Sequence, residues 1–195
     1  MKLLYLDCCI TMRTSSHTKQ LAETFLKSWH KLHPSDEIEH LDLKSMSLFP
    51  LDEVSLHERE QAAANKDWNH PSLALARQFA QADRIVVAAP FWEMTFPAKL
   101  QTYLEHISVC GITFRYTPSG SEGLCRARKF LYFTTAGGPI DGCNFGSNYL
   151  HALSQFYGIS EYHFIGAPMQ DIQEIDTTPY LNEALQQAET IAKTF

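Results

Sequence analysis

Five consecutive apolar residues, Ile85 to Ala89, with no polar alternation among them, constrain this chain more than any other feature. A strand of that kind has both faces covered, which places it in the middle of a parallel sheet. Pro90 ends the run, and Pro97 stands where a helix can begin, with Leu100, Leu104 and Ile107 behind it at helical spacing. Between the two prolines lies Phe91-Trp92-Glu93-Met94-Thr95-Phe96, too apolar to be only a solvated connection. In open α/β sheets, loops at the carboxyl ends of central strands form the ligand crevice, so a planar, partly apolar ligand is expected here.

The flanking sequence supplies the other strands and helices. Leu3 to Leu6 reads as a first strand, and Leu21, Phe25 and Trp29 mark one face of the helix after it. Between them runs Cys8 to Thr18, without Gly-x-Gly-x-x-Gly but with a cluster of hydroxyls and Arg13. Two readings are open: ordinary N-capping by Ser15 or Ser16, or a cradle for a terminal phosphate at the helix start. Glu37 to Leu43 is a second strand near a sheet edge. The stretch from Lys44 to Pro71 is irregular, with room for a short helix over 54–64. Leu73, Ala76, Phe79 and Ala80 form the helix leading into the central strand.

After that strand and its helix, Ile112, Phe114 and Tyr116 alternate with polar residues before Pro118-Ser119-Gly120, which predicts a hairpin. Lys129 to Thr135 is a fourth strand ending in Ala136-Gly137-Gly138-Pro139. Paired glycines there serve either a plain turn or close backbone approach to a ligand. Tyr149, Leu153 and Phe156 predict one face of a helix closed by Gly158. Tyr162 to Ala167 is a fifth strand, and Thr178-Pro179 caps a final helix with Leu181, Leu185, Ala188 and Ala192 inward. Alternating strands and helices imply right-handed crossovers and a parallel sheet covered on both faces. The expected architecture is an α/β, flavodoxin-like three-layer sandwich with strand order 2-1-3-4-5. The loops after strands one, three and four then meet at one edge.

Composition bounds the function. A chain of 195 residues suits a single domain over 1–195. A net charge of −6 without a basic stripe argues against nucleic acid. The first apolar stretch is too short for a signal peptide and nothing later approaches a membrane span, so a cytoplasmic location is expected. Five cysteines without CxxC spacing give neither a disulfide framework nor a zinc site. Cys8 and Cys9, side by side at a strand end, are expected to act as small hydrophobes.

With these residues in place, the chain resembles the FMN-dependent NADH azoreductases, relatives of the flavodoxin-like NAD(P)H quinone oxidoreductases. The most specific match is Gly111-x-Thr-Phe-Arg-Tyr-Thr117 with Gly120-x-Glu-Gly-Leu124. Ser16-His17-Thr18, the Ala88-Ala-Pro-Phe-Trp segment and Thr134-Thr135-Ala136-Gly137-Gly138 support it. The resemblance implies FMN binding. The phosphate would fall to Ser16, His17 and Thr18, with Cys9 nearby; the ring to Phe91, Trp92, Glu93 and Met94; its pyrimidine end to Thr135, Ala136, Gly137 and Gly138. It further implies hydride transfer from NADH or NADPH through flavin N5 to a quinone or azo compound, in a ping-pong sequence.

The resemblance also implies a homodimer with the flavin at the interface. Phe114, Arg115, Tyr116 and the 44–71 segment would then shape a partner's pocket, with Tyr116 lining the substrate cavity. His17 and His106 are read as structural or surface residues, and no protein side chain is assigned as catalytic. Three positions depart from the family pattern: Cys9 replaces a common Ser, Glu93 a common Asn, and Ala136 an Arg found in some members. A carboxylate beside a reduced, anionic flavin is unfavourable, so Glu93 is expected to contribute only backbone. The rival reading is a flavodoxin-like electron carrier or flavin-binding module, for which the hairpin near Phe114 is superfluous.

Overall fold

In the computed structural model, which describes residues 1–10 and 16–195, the apolar run forms strand β3 (Arg84–Ala88). It pairs in parallel with β1 (Lys2–Asp7) on one side and β6 (Lys129–Thr135) on the other. β2 (Glu37–Asp42) extends the sheet beyond β1, and β7 (Glu161–Ala167) extends it beyond β6. The order β2-β1-β3-β6-β7 is 2-1-3-4-5 once the strands of a separate hairpin are set aside, as expected from the sequence. At the edge, β2 has no fully buried residue, which explains why its apolar pattern is the weakest of the five.

Strand periodicity divides the core into two layers. Leu3, Tyr5, Val86, Ala88, Leu131 and Phe133 pack on one face against Leu21, Phe25 and Trp29 of α1 (His17–Leu32) and Ala184 and Ala188 of α6 (Thr178–Ile191). Leu4, Leu6, Ile85, Val87, Phe130 and Tyr132 face the other way. They meet Phe79 of α3 (Ala74–Gln81), Leu100, Tyr103, Leu104 and Ile107 of α4 (Ala98–Ile107), and Leu150 of α5 (Phe145–Phe156). Because both parities of the central strands are buried, their sequence carries no polar alternation.

The irregular stretch after β2 is more ordered than its pattern suggests. Residues 53–64 form a twelve-residue helix, α2 (Glu53–Ala64), opened by a reciprocal capping box between Asp52 and Ser55. Its only buried residue is Ala62, so it has no apolar stripe to read. Upstream, the Lys99 ammonium donates to the carbonyls of Met46 (2.8 Å) and Leu48 (3.2 Å), tying this segment to α4.

Three local expectations are corrected. The sheet-facing stripe of α5 is Gly146, Leu150 and Ser154 rather than Tyr149, Leu153 and Phe156. Tyr149 is exposed, while Phe156 packs on Phe114 of the hairpin with ring centroids 4.5 Å apart. The helix thus has two apolar faces: Leu153 and Phe156 pack against the core as expected, and Tyr149 alone of the three is turned out. Pro97 immediately precedes α4 instead of opening it. Thr178 is the first helical residue of α6 rather than its cap, its N–H held by the Asp176 carboxylate at 3.0 Å.

The predicted hairpin is present as antiparallel β4 (Phe114–Thr117) and β5 (Gly120–Gly123). It docks on the end of α5 through glycine: a Cβ on Gly123 would lie 2.0 Å from the Gly158 nitrogen. Gly158 follows α5 at φ +84°, the left-handed residue its helix end requires.

Candidate functional site

The carboxyl ends of β1, β3 and β6 meet at the point where the strand order reverses. A cleft of about 400 Å³ opens there, lined by Ser16, His17 and Thr18, by Pro90, Phe91 and Trp92, and by Thr135, Ala136 and Gly137. That volume lies within the range of small-molecule and cofactor sites, roughly 300–1,000 Å³. Thr135 holds the three loops in register. Its hydroxyl lies 2.6 Å from that of Thr18, and its carbonyl accepts the Phe91 N–H at 3.0 Å.

Each wall offers a different chemistry. α1 runs for sixteen residues with no acid in its first turn, so its N-terminus presents free N–H groups and a positive dipole end to an anion. Ser16 is its N-cap, accepting the Lys19 N–H at 3.3 Å, so one of the two capping candidates is settled by geometry. The hydroxyls of Thr11, Thr14 and Ser15 and the Arg13 guanidinium, the remainder of the expected phosphate cradle, lie outside the described residues. Phe91 and Trp92 supply flat apolar surface, Trp92 being 44% exposed. On the third wall, neither Gly137 nor Gly138 has an acceptor for its N–H among the described residues.

The loop after β3 is a tight turn. Trp92 and Thr95 exchange backbone hydrogen bonds of 3.3 and 2.7 Å, and Glu93 and Met94 between them have φ of +49° and +64°. Two successive positive φ angles define a turn of the type that favours Asn-Gly. The Met94 carbonyl accepts the N–H groups of Phe145 (3.0 Å) and Gly146 (3.4 Å), which fastens the turn to the start of α5. Gly146 permits that approach, because a Cβ there would lie 3.1 Å from the Thr95 backbone.

Several expected residues stand elsewhere. Cys9 is turned inward: its N–H donates to Asp7 Oδ1 at 2.9 Å and its thiol points at the Ala88 carbonyl, 3.8 Å away, so it does not line the cleft. Burial pushes the Cys8 thiol up to about 12 and raises that of Cys9 as well, which fits two small hydrophobes and not thiolate chemistry. Gly138 lies behind the wall, its carbonyl accepting the Met169 N–H at 3.0 Å. Glu93 and Met94 are exposed outside the cleft, and Glu93 lines a neighbouring groove. Tyr116, 73% exposed on β4, lines a third groove with Arg59 and Trp68, so within one chain it is not a cavity residue of this cleft.

Two lining residues carry no sequence signal. Gln170 and Asp171 follow β7, and their N–H groups donate to the carbonyls of Ala136 (2.9 Å) and Gly137 (3.2 Å). A Cβ on Gly137 would lie 2.6 Å from Asp171 Oδ2, so this glycine leaves room for the carboxylate. Nothing in a Met-Gln-Asp run after an edge strand announces a binding loop; only the pairing of β6 with β7 brings it there. Beneath the cleft, the buried Asp7 carboxylate lies 3.2 Å from the Lys19 ammonium, a bond and charge that raise the Lys19 pKa. Among the described residues no His, Cys, Asp and Glu side chains gather in a metal-binding group.

The arrangement suits a flat ligand with an anionic tail: donors at a helix start, an aromatic wall, and on the third wall the Gly137 N–H, which has no acceptor among the described residues. The profile of a family described as having a flavodoxin-like fold matches residues 1–192. The FMN-dependent NADH:quinone oxidoreductase of Coprothermobacter proteolyticus is 33% identical over 199 residues, covering 100% of this chain and 99% of that protein. The protein of the same name from Caldicellulosiruptor saccharolyticus is 34% identical with the same coverage. Among solved structures, an azoreductase from Bacillus anthracis superposes with a TM-score of 0.87 at 24% identity, covering 100% of this chain and 99% of that one. An FMN-dependent NADH-azoreductase from the same species, solved in complex with FMN, gives 0.84 at 23% identity, with the same coverage. At these identities the structures establish the shared fold.

Proposed function

The chain belongs to the flavodoxin-like family of FMN-dependent NADH:quinone oxidoreductases, and we propose that its cleft binds FMN and passes hydride equivalents from NADH to quinones or azo compounds. For a quinone the balance is NADH + H⁺ + quinone → NAD⁺ + hydroquinone, with donor and acceptor meeting the same flavin in turn. FMN, when bound, supplies the two-electron relay between them. The chain's own residues bind and orient. The start of α1, with Ser16, His17 and Thr18, takes the phosphate; Phe91 and Trp92 lie along the ring; the Gly137 N–H faces the carbonyl end, where negative charge develops on reduction. The observation that carries this reading is the convergence of these three chemically distinct loops on one cleft, held together through Thr135.

A homodimer is part of the proposal. Trp92 is exposed at the cleft, Phe145 and Tyr149 along the groove beside it, and Tyr116 on the hairpin. A second copy would bring its own hairpin over the ring. All five cysteines are free, in keeping with a reducing cytoplasm, and among the described residues no helix is long and apolar enough to cross a membrane.

The test is NADH oxidation by the FMN-loaded protein with menadione and with methyl red. Steady turnover with either supports an enzyme. Bound FMN without turnover supports an electron carrier instead. Light scattering of the loaded protein should give twice the chain mass.

A further inference from the structure

Beside the cofactor cleft lies a second cavity of different character, a groove of about 750 Å³ whose walls include Ile10, Phe96, Pro97, Phe145 and Tyr149. Trp92 lines both cavities, so the groove continues the cleft past the aromatic wall. A groove of this size and lining suits a flat apolar compound.

Its charge is set by few groups. Glu93 lines the groove from the turn after β3, and among the described residues it has no ion-pair partner. Its backbone is held at φ +49° by the Trp92–Thr95 bonds, so the carboxylate is carried on a fixed turn rather than a loose loop. The one cation of the lining, Lys99, is drawn off by the carbonyls of Met46 and Leu48. On the cleft side Asp171 adds a second carboxylate, and His17 stands with the helix start. A compound in the groove therefore meets the Glu93 carboxylate with no free cation of the lining to offset it among the described residues.

We propose that the apolar groove receives the electron acceptor and that Glu93 sorts acceptors by charge, admitting neutral or cationic aromatic compounds and discriminating against those bearing a carboxylate or sulfonate. This rests on the oxidoreductase reading above and names its substrate class. Glu93 is thus a specificity-determining residue. It acts through the field it sets in the groove, and a like charge placed within a few ångströms of this exposed carboxylate lowers binding several-fold at low salt.

The experiment uses FMN-loaded protein and a matched pair of acceptors, 1,4-naphthoquinone and 1,4-naphthoquinone-2-sulfonate, with NADH as donor. The readout is the ratio of kcat/KM for the sulfonate to that for the neutral quinone, which cancels effects on FMN loading or folding. Glu93→Gln and Glu93→Asn are each expected to raise this ratio about tenfold over the starting protein, and Glu93→Asp to leave it within about twofold. Rising salt should raise the sulfonate rate of the starting protein and leave that of the two neutral variants nearly flat. Equilibrium binding of the sulfonate to the oxidised, loaded protein, followed by Trp fluorescence, should tighten by the same factor. Ratios in both neutral variants within about twofold of the starting protein overturn the proposal while leaving the oxidoreductase reading intact. If neither quinone is reduced by the loaded starting protein, the oxidoreductase reading fails and this one fails with it.

Discussion

Glu93 and Met94 hold successive left-handed backbone conformations, φ +49° and +64°, at a turn where Asn-Gly would sit without strain. A non-glycine residue there costs on the order of 1 kcal/mol. Met94→Gly is therefore expected to stabilise the FMN-free chain by about 0.5–1 kcal/mol, read from its urea midpoint. An unchanged or lower midpoint would show that the Met94 side chain contributes packing its exposure does not suggest. Gly137→Ala should do the opposite at the site. Its Cβ would meet Asp171 Oδ2 at 2.6 Å, so the loop must shift, and FMN affinity should fall about tenfold or more with a small loss of stability. Burial raises the Cys8 and Cys9 thiols, whereas Cys110 is exposed. At pH 7.5 iodoacetamide should label Cys110 on the order of a hundredfold faster than either, because the thiolate is the nucleophile. Equal rates, measured by peptide mass spectrometry, would remove the reading of Cys8 and Cys9 as inert packing.

The strands explain how much of the chain was legible. β1, β3 and β6 are buried on both faces and announce themselves as unbroken apolar runs, so their positions and the order 2-1-3-4-5 follow from the sequence. α2 and the apolar faces of α5 were less readable. A helix burying only Ala62 has no stripe, and one packed on both sheet and hairpin has two. The hairpin's docking was hidden for another reason: Gly123 and Gly158 are ordinary turn residues until the fold brings them together. Gly123→Ala, with its Cβ 2.0 Å from the Gly158 nitrogen, is expected to destabilise by about 2 kcal/mol or more. At the opposite end of the sheet, Asp83 accepts the Lys2 N–H and the Arg126 Nε–H, both at 2.7 Å. Burial would raise the Asp83 pKa, but these donors outweigh it and hold it below the ordinary value. A carboxyl depressed in the folded state stabilises above its unfolded value of about 3.9 and loses that contribution as pH falls through the folded one. Asp83→Asn should cost about 1 kcal/mol at pH 7, modest because Arg126 is largely exposed, and almost nothing near pH 2. Parallel urea curves at the two pH values check it.

At the scale of the whole molecule, the site is a product of topology. Ser16, Phe91 and Gly137 are far apart in the chain, and each loop admits a plain structural role: a cap, an apolar connection, a turn. The sequence predicts that they meet because strands one and three are neighbours across the reversal of order, and the structure brings eight of the expected residues to one cleft. Gln170 and Asp171 were missed because their contribution depends on β7 pairing with β6, which aligns one loop on another. Cys9 stands beside the cleft and not in its wall, because its N–H turns inward onto Asp7. What the three loops would recognise together is a flat ring at one end and a phosphate at the other. The most direct test is titration of the FMN-free protein with FMN and, separately, with riboflavin, which has the ring and lacks the phosphate. The account predicts one FMN per chain and riboflavin binding weaker by about a hundredfold or more, the share supplied by charge-assisted bonds at the start of α1. A chain that takes up neither, or that binds the two equally, would contradict it.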